Sequence, residues 1–348
     1  MPSRFAGEGE RLGVKVYRRA DLATYYRGLM ICANVWACPV CSAKIAERRR
    51  AELDQALTSH QEKGGGVYHM LLTLPHRRDN EPAPLVSLLL DTFRRLCSGK
   101  YALSALVPGY LGFVRALEVT HGDHGWHPHL HVLVFTEKAL DGEQLALVQH
   151  KVFSKWEARV QKTTGKTASR KAFSFDGAER GHYTLDSAGD YVTKYGADRE
   201  LDEIVLERRR WGAADELTKA HLKDEGRGGR SPWKLLADYQ GGDVHAGMLW
   251  KEFVAAFKGR SQLQWSRGLR DALGLDQEQD DEQAAAAVEA EDVLLAHIPE
   301  ADWSLIVARR LRGLVLEVLR SGTWQDVEVL LSRHRGELGN VTNFGGTT

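Results

Sequence analysis

The sequence predicts an α+β fold: a ferredoxin-like central antiparallel sheet with flanking helices, followed by a helical C-terminal region. Three observations predict it. Between residues 67 and 185 the hydrophobic pattern runs strand, helix, strand, strand, helix, strand. The middle two strand-like runs are joined by a polar, Gly-containing turn. Beyond residue 200 the pattern is mostly helical.

Residues 43–61 read as a helix, with Ile45, Leu53 and Leu57 at roughly helical spacing and Arg48, Arg49 and Arg50 between them. Gly64–Gly66 breaks it. Val67–Leu74 is a short apolar run ending at Pro75, as a strand would. Leu85–Cys97 is the next helix. Gly112–Thr120 and His129–Phe135 form the two strands around the turn His121–Pro128. Gly142–Gln161 is helical, and a strand follows near Lys171–Phe175 or His182–Leu185. Ser187 with Asp190 has capping-box spacing and opens another helix. The expected division is a basic N-terminal region over 1–63, a core over 64–200 and a helical extension over 201–275. An acidic linker over 276–292 and a helical tail over 293–348 complete it. No internal repeat is evident.

The chain has 348 residues, 43% of them hydrophobic, enough for a sizeable core. No apolar run is long enough to cross a bilayer, and Met1–Tyr17 is polar with no signal-peptide core, so a cytoplasmic protein with no membrane partner is expected. Four cysteines, three of them within Cys32–Cys41, do not make a disulfide framework. Net charge is zero but unevenly spread. Residues 1–50 carry ten Lys/Arg against four Asp/Glu, whereas 251–300 carry five against eleven. Lys151, Lys155, Arg159, Lys162 and Lys166 form a second basic stretch. Together with Arg48, Arg49 and Arg50 they are candidates for contact with a phosphate backbone, which responds to local potential; a solvated helix face is the alternative.

The central chemical signal is His127-Pro128-His129-Leu130-His131. Strand alternation points His129 and His131 to one face, with His127 joining them if the strand extends that far. Two such imidazoles can chelate one divalent cation. Glu118, on the preceding strand, is placed to reach the same face across a hairpin. Leu130, Val132 and Val134 point the other way, into a core. A second signal is Tyr191-Val192-Thr193-Lys194-Tyr195, where helical spacing gathers Tyr191, Lys194 and Tyr195 on one face. A phenol, with a pKa near ~10, becomes a useful nucleophile when a metal polarises the phosphate and a cation stabilises the developing charge. Cys38-Pro39-Val40-Cys41 is a CxxC with Cys32 upstream, so a structural Zn²⁺ held by Cys32, Cys38 and Cys41 is expected. Cys97 or a histidine is the candidate fourth ligand.

In company these residues resemble a known family. His129-Leu130-His131 matches the HUH motif, Tyr191–Tyr195 matches the YxxKY tyrosine motif, and Leu71-Leu72-Thr73-Leu74 is similar to the upstream strand motif. The chain resembles rolling-circle plasmid replication initiators (Rep) of the HUH endonuclease superfamily, actinobacterial plasmid type, from about Cys32 to Arg270. Gly229–Trp233 and Gln264–Arg270 also look family-like, with no chemistry assigned. The resemblance implies that residues 64–200 are an endonuclease core holding Mg²⁺ or Mn²⁺ beside a scissile phosphate. It implies attack by Tyr195 or Tyr191, a 5′-phosphotyrosine and a free 3′-OH, on single-stranded or hairpin origin DNA. Host helicase and polymerase would be partners; oligomeric state is left open. Three other readings stand beside it: a transposase or mobilisation relaxase sharing this core, a zinc-dependent hydrolase, and a zinc-containing DNA-binding regulator. The hydrolase lacks an HxHxD continuation, because Leu133 stands where the aspartate would be. Gly165-Lys166-Thr167 lacks the first glycine of a Walker A loop, Val160 being in its place, so no ATPase is expected. Trp126 and Trp156 are candidates either for stacking on unpaired bases or for the core.

Overall fold

The structure, a computed structural model, describes residues 13–19, 22, 24–29, 31–178, 229–286 and 292–336. By packing, the chain forms two compact units, one from Ala33–Ala285 and the other from Met1–Cys32 with Ala286–Thr348. The five consecutive segments expected from sequence are not these units, because the two ends of the chain share one sheet.

In the larger unit, α1 (Pro39–Glu62), α2 (Pro82–Leu96), α3 (Leu103–Leu106) and α4 (Gly142–Thr164) accompany β3 (Gly66–Thr73), β4 (Tyr110–Gly122), β5 (Gly125–Thr136) and β6 (Phe173–Gly177). The sheet order is β6-β3-β5-β4, with every neighbour antiparallel. This is the split βαβ arrangement that the element order predicts. A short strand, β7 (Leu263–Trp265), extends it along the outer edge of β4. Helices α5 (Pro232–Gln240), α6 (Val244–Phe257), α7 (Leu269–Leu273) and α8 (Asp281–Ala286) complete the unit.

Alternation along the strands divides the sheet into two faces. Leu72, Leu130, Val132, Val134 and Leu117 are fully buried on one. Leu89, Phe93 and Leu96 of α2 and Val152, Trp156 and Val160 of α4 are buried as well, and α2 packs on both β5 and α4. Trp156 is therefore core. Trp126 is too: it is buried, stacks on Phe253 and donates Nε1–H to Glu252 at 3.2 Å. Neither indole is free to stack on a base. The other face is not simply polar. Val114, Ala116, Leu133 and Phe135 form a second core with Leu53, Ala56 and Leu57 of α1 and with Trp265. Only the end of this face that carries the histidines is left for chemistry.

Local sequence explains the element ends. Asp141 and Gln144 form a reciprocal capping box at the start of α4, and Gly165 ends it with a left-handed φ of 70°. Ser231 caps α5 and Pro232 takes its first turn, which gives the Gly229–Trp233 stretch a structural role. Arg230 pairs with Asp238 and Asp243, at 3.3 and 3.1 Å. The β4–β5 strands run closer to the turn than expected, leaving only Asp123 and His124 between the paired Gly122 and Gly125. Pro128 is tolerated because β3 pairs with β5 only as far as His129, so no ladder on that side needs its missing N–H.

The acidic stretch is not merely a spacer. Asp281, in α8, pairs with Arg49 at 2.6 Å, and Gln279 accepts from Arg48 at 3.4 Å. Arg270 reaches Glu52 at 2.5 Å.

The smaller unit has a three-stranded sheet in the order β2-β1-β8: β1 (Val14–Arg18), β2 (Thr24–Arg27) and β8 (Val293–Ile298). The expected helical tail thus opens with a strand. Helices α9 (Glu300–Ala308), α10 (Arg312–Ser321) and α11 (Trp324–Gly336) follow. Val14, Val16, Ile298, Ile306, Val315, Leu319 and Val327 form its core. No helix among the described residues is long and apolar enough to cross a membrane.

Gly125 carries a φ of 82°, and a Cβ there would lie 2.6 Å from the Arg78 carbonyl oxygen. Gly125→Ala is expected to cost about 1–3 kcal/mol, a strained-backbone penalty. A lowered urea midpoint with an unchanged m-value will check this.

Candidate metal centre and nucleic-acid interface

The hairpin register builds the centre. Glu118 on β4 lies directly opposite His129 on β5, and His131 lies opposite Ala116, so all three side chains share one face. Glu118, His129 and His131 each place a ligand atom within 4.8 Å of the others. Glu118 Oε2 is 3.2 Å from His129 Nε2 and 3.5 Å from His131 Nε2. Glu118 and His131 are nearly buried, while His129 is the more open, with 14% of its side chain exposed. A substrate would therefore approach past His129.

The protons on the two rings can be placed from their partners. His129 Nδ1 lies 3.2 Å from the His127 carbonyl oxygen, which only accepts, so Nδ1 donates. His131 Nδ1 lies 2.9 Å from His69 Nε2, where it can likewise donate. Both Nε2 lone pairs then face a carboxylate. Three converging acceptors repel one another unless a cation sits among them. Adjacent ligands of an octahedral ion at 2.0–2.1 Å lie about 3 Å apart, close to the separations found here. The donor set therefore fits a divalent cation.

His127 was expected as a fourth ligand. It is on the same face, its ring centroid 5.6 Å from that of His129 and 4.9 Å from that of His76. It does not join the group of three. Its pKa is pushed down to about 4 by burial and then by His129 and His76. Sequence reasoning missed His69, because its partner relation depends on β3 lying beside β5. The one available signal was a histidine inside the apolar run of β3.

The thiols of Cys32, Cys38 and Cys41 also lie within 4.8 Å of one another. Cys38 is the N-cap of α1, where the helix dipole favours a thiolate. Cys97 is absent from this group, and burial raises its thiol to about 12, which keeps it protonated. Of the basic candidates, Arg49 and Arg50 have acidic partners, Asp281 and Glu47, within 2.6 and 2.9 Å. Of the basic residues on α4, Lys151 and Lys162 are exposed, whereas Lys155 and Arg159 are half-buried, as is Lys166 just beyond the helix. Lys155 Nζ stands 5.3 Å from the ring centre of Tyr101, itself 58% exposed. Tyr191, Lys194 and Tyr195 lie outside the described residues.

Comparison with known proteins bears on the same strands. Residues 27–163 match a family model described as "Replication protein", a stretch that includes Glu118, His129 and His131. A "Protein rep" of Streptomyces lividans is 27% identical over 90% of this chain and 80% of its own length. Over this stretch the chain is similar to Rep replication proteins. A "Protein rep" of a Bacillus species is 31% identical over 32% of this chain and 36% of its own length. A "Neomycin resistance protein" of Streptomyces cyanogenus is 26% identical over 62% of the chain and 55% of its own length. No solved structure matches significantly.

His69→Phe removes the partner of His131 Nδ1 and leaves a ring of similar size. It is expected to weaken Mn²⁺ binding about 10- to 100-fold, the usual effect of losing such a support. Titration calorimetry with MnCl₂ will read this directly, and unchanged affinity would refute the role given to His69.

Proposed function

We propose that this protein initiates rolling-circle replication of a plasmid by nicking one DNA strand at the origin. The observation that carries the reading is the convergence of Glu118, His129 and His131 on adjacent strands of a sheet shared with the Rep-like stretch. Such a group suits phosphate chemistry. It is open on the His129 side, and its donors are one carboxylate and two neutral imidazoles. Mg²⁺ or Mn²⁺ bound there supplies charge neutralisation at a non-bridging phosphate oxygen. The carboxylate and the nearly dry surroundings favour a hard cation with an open position, although imidazoles alone would also accept zinc.

In this reading the chain's own residues do the rest. Glu118 and the two fixed imidazoles would hold the cation that neutralises charge on the scissile phosphate. Tyr195 or Tyr191 attacks phosphorus through its phenolic oxygen. The O–P bond to tyrosine forms as the bond from phosphorus to the 3′ oxygen breaks, and the phenolic proton ends on the departing 3′-OH. Lys194 stabilises the developing charge. The strand is left joined through a 5′-phosphotyrosine, so a later 3′-OH can reverse the step and close the circle. Lys151, Lys155, Arg159, Lys162 and Lys166 are proposed to meet the DNA backbone, and Cys32, Cys38 and Cys41 to hold a structural Zn²⁺. Such an initiator works in the cytoplasm with a host helicase and polymerase. A transposase or mobilisation relaxase would share the cut-and-join chemistry but not the release of a primer for continuous synthesis.

Incubation with single-stranded origin DNA and Mn²⁺ should give a covalent protein–DNA adduct that survives denaturation. Tyr191→Phe/Tyr195→Phe should abolish it, and Glu118→Ala should lower its rate at least about 100-fold, as loss of a metal ligand would. An adduct that persists in the double tyrosine variant would rule out the assigned nucleophiles.

A further inference from the structure

Among the described residues, the smaller unit has a sheet face on which none of its own helices packs. Register fixes which residues lie there. Val16 pairs with Tyr26, and Thr24 donates to the Leu316 carbonyl of α10 at 2.8 Å. Tyr26 donates to the Arg312 carbonyl at 2.8 Å and meets Trp303 edge-on. Those residues therefore mark the helix side. By alternation, Lys15, Tyr17, Tyr25 and Arg27 occupy the opposite side, with Lys15 paired to Arg27 and Tyr17 to Tyr25. On β8, His297 is opposite Lys15 and, past a bulge, Leu294 is opposite Tyr17.

The composition of this face is unusual for a wet one. Tyr17 and Tyr25 stack, with centroids 5.8 Å apart and planes 21° from parallel. The Arg27 guanidinium stands 5.4 Å from the Tyr17 ring centre. Both tyrosines are only half-buried, Leu294 is 42% exposed, and His297 is exposed. A cross-strand aromatic pair can serve sheet stability alone. That role does not require three basic groups around it. Parallel ring faces bordered by cations are what unpaired bases and their phosphates need, since every base has a π face and every nucleotide a phosphate anion.

We propose that this face binds single-stranded DNA, with bases stacked on Tyr17 and Tyr25 and phosphates met by Lys15, Arg27 and His297. The proposal rests on the reading that the protein works on single-stranded DNA, and adds a second site that holds a strand without cutting it. Asp292 accepts from the Tyr25 hydroxyl at 2.5 Å. That bond holds the ring by its edge. The acid lies at the end of β8, so phosphates are expected on the Lys15–Arg27 side. A binding mode of this kind is tolerant of sequence.

The test uses the full-length chain without added Mg²⁺ or Mn²⁺, where no cutting is expected, and a fluorescein-labelled oligothymidylate of about 16 nucleotides, the upper site size of a small single-strand-binding fold. Tyr17→Leu/Tyr25→Leu keeps apolar bulk but removes both ring faces, and Kd should rise about tenfold or more. Tyr17→Phe/Tyr25→Phe should bind within about twofold of the native chain, because stacking survives. Lys15→Gln/Arg27→Gln should make the slope of log K against log salt shallower by about 1.4, for two phosphate contacts on a single strand. Native affinity in the leucine variant, or equal displacement by duplex DNA or by an acidic peptide, would overturn the proposal. If the leucine variant fails to fold by circular dichroism, an unchanged salt slope in the glutamine variant overturns it. The adduct assay keeps the two ideas apart: absence of adduct in the native chain would sink the nicking reading while leaving the binding result intact.

Discussion

Pairing of Glu118 with His129 across a two-residue hairpin is the constraint on which the centre depends. Side chains alternate with a period of two, so a one-residue slip would send Glu118 into the α2–α4 core and leave the imidazoles without a carboxylate. The tight turn at Asp123–His124 prevents that slip. It can be this tight because Gly125 accepts a positive φ against the Arg78 backbone. Chemistry on the strand face is thus fixed by two residues at the hairpin tip that touch no ligand.

The same strands must satisfy opposed demands. Burial raises the cost of leaving Glu118 and His131 unsatisfied, yet burial also makes an ion held between them more tightly fixed. The fold resolves this by confining the polar group to one end of the sheet. Leu133 and Phe135, further along β5, are packed under α1, while Leu130 and Val132 anchor the reverse side. His69 then links the apolar strand β3 to the polar end, through the ring nitrogen of His131 that a metal would not use.

Much of this was legible in the sequence. Alternation at His127–His131 gave the face that His129 and His131 share with Glu118, because a period of two survives in any strand. The order of periodic segments named the sheet, and the helix expected over Gly142–Gln161 is α4, which runs on to Thr164. What escaped were relations between segments distant in the chain. Three residues of β7 carry too little pattern to read as a strand, and β8 is an edge strand whose Val293 and Leu294 stay exposed. The arginines of α1 read as a basic patch because Asp281, the partner of Arg49, arrives from far downstream. Trp156 looked as able to meet a base as to fill a core. Its helical register with Val152 and Val160 decides for the core once α4 is laid on the sheet.

The pairing of β1 with β8 has a consequence for biosynthesis. Val16 meets Ala296 in the ladder, so β1 has no β8 partner until the 280 residues from one to the other have been synthesised. At roughly 5–20 residues per second, that delay is on the order of tens of seconds. The larger unit, whose segments arrive in sequence, can meanwhile fold. A ribosome that stalls early would release a molecule carrying the imidazole–carboxylate group but without the sheet that joins its two ends.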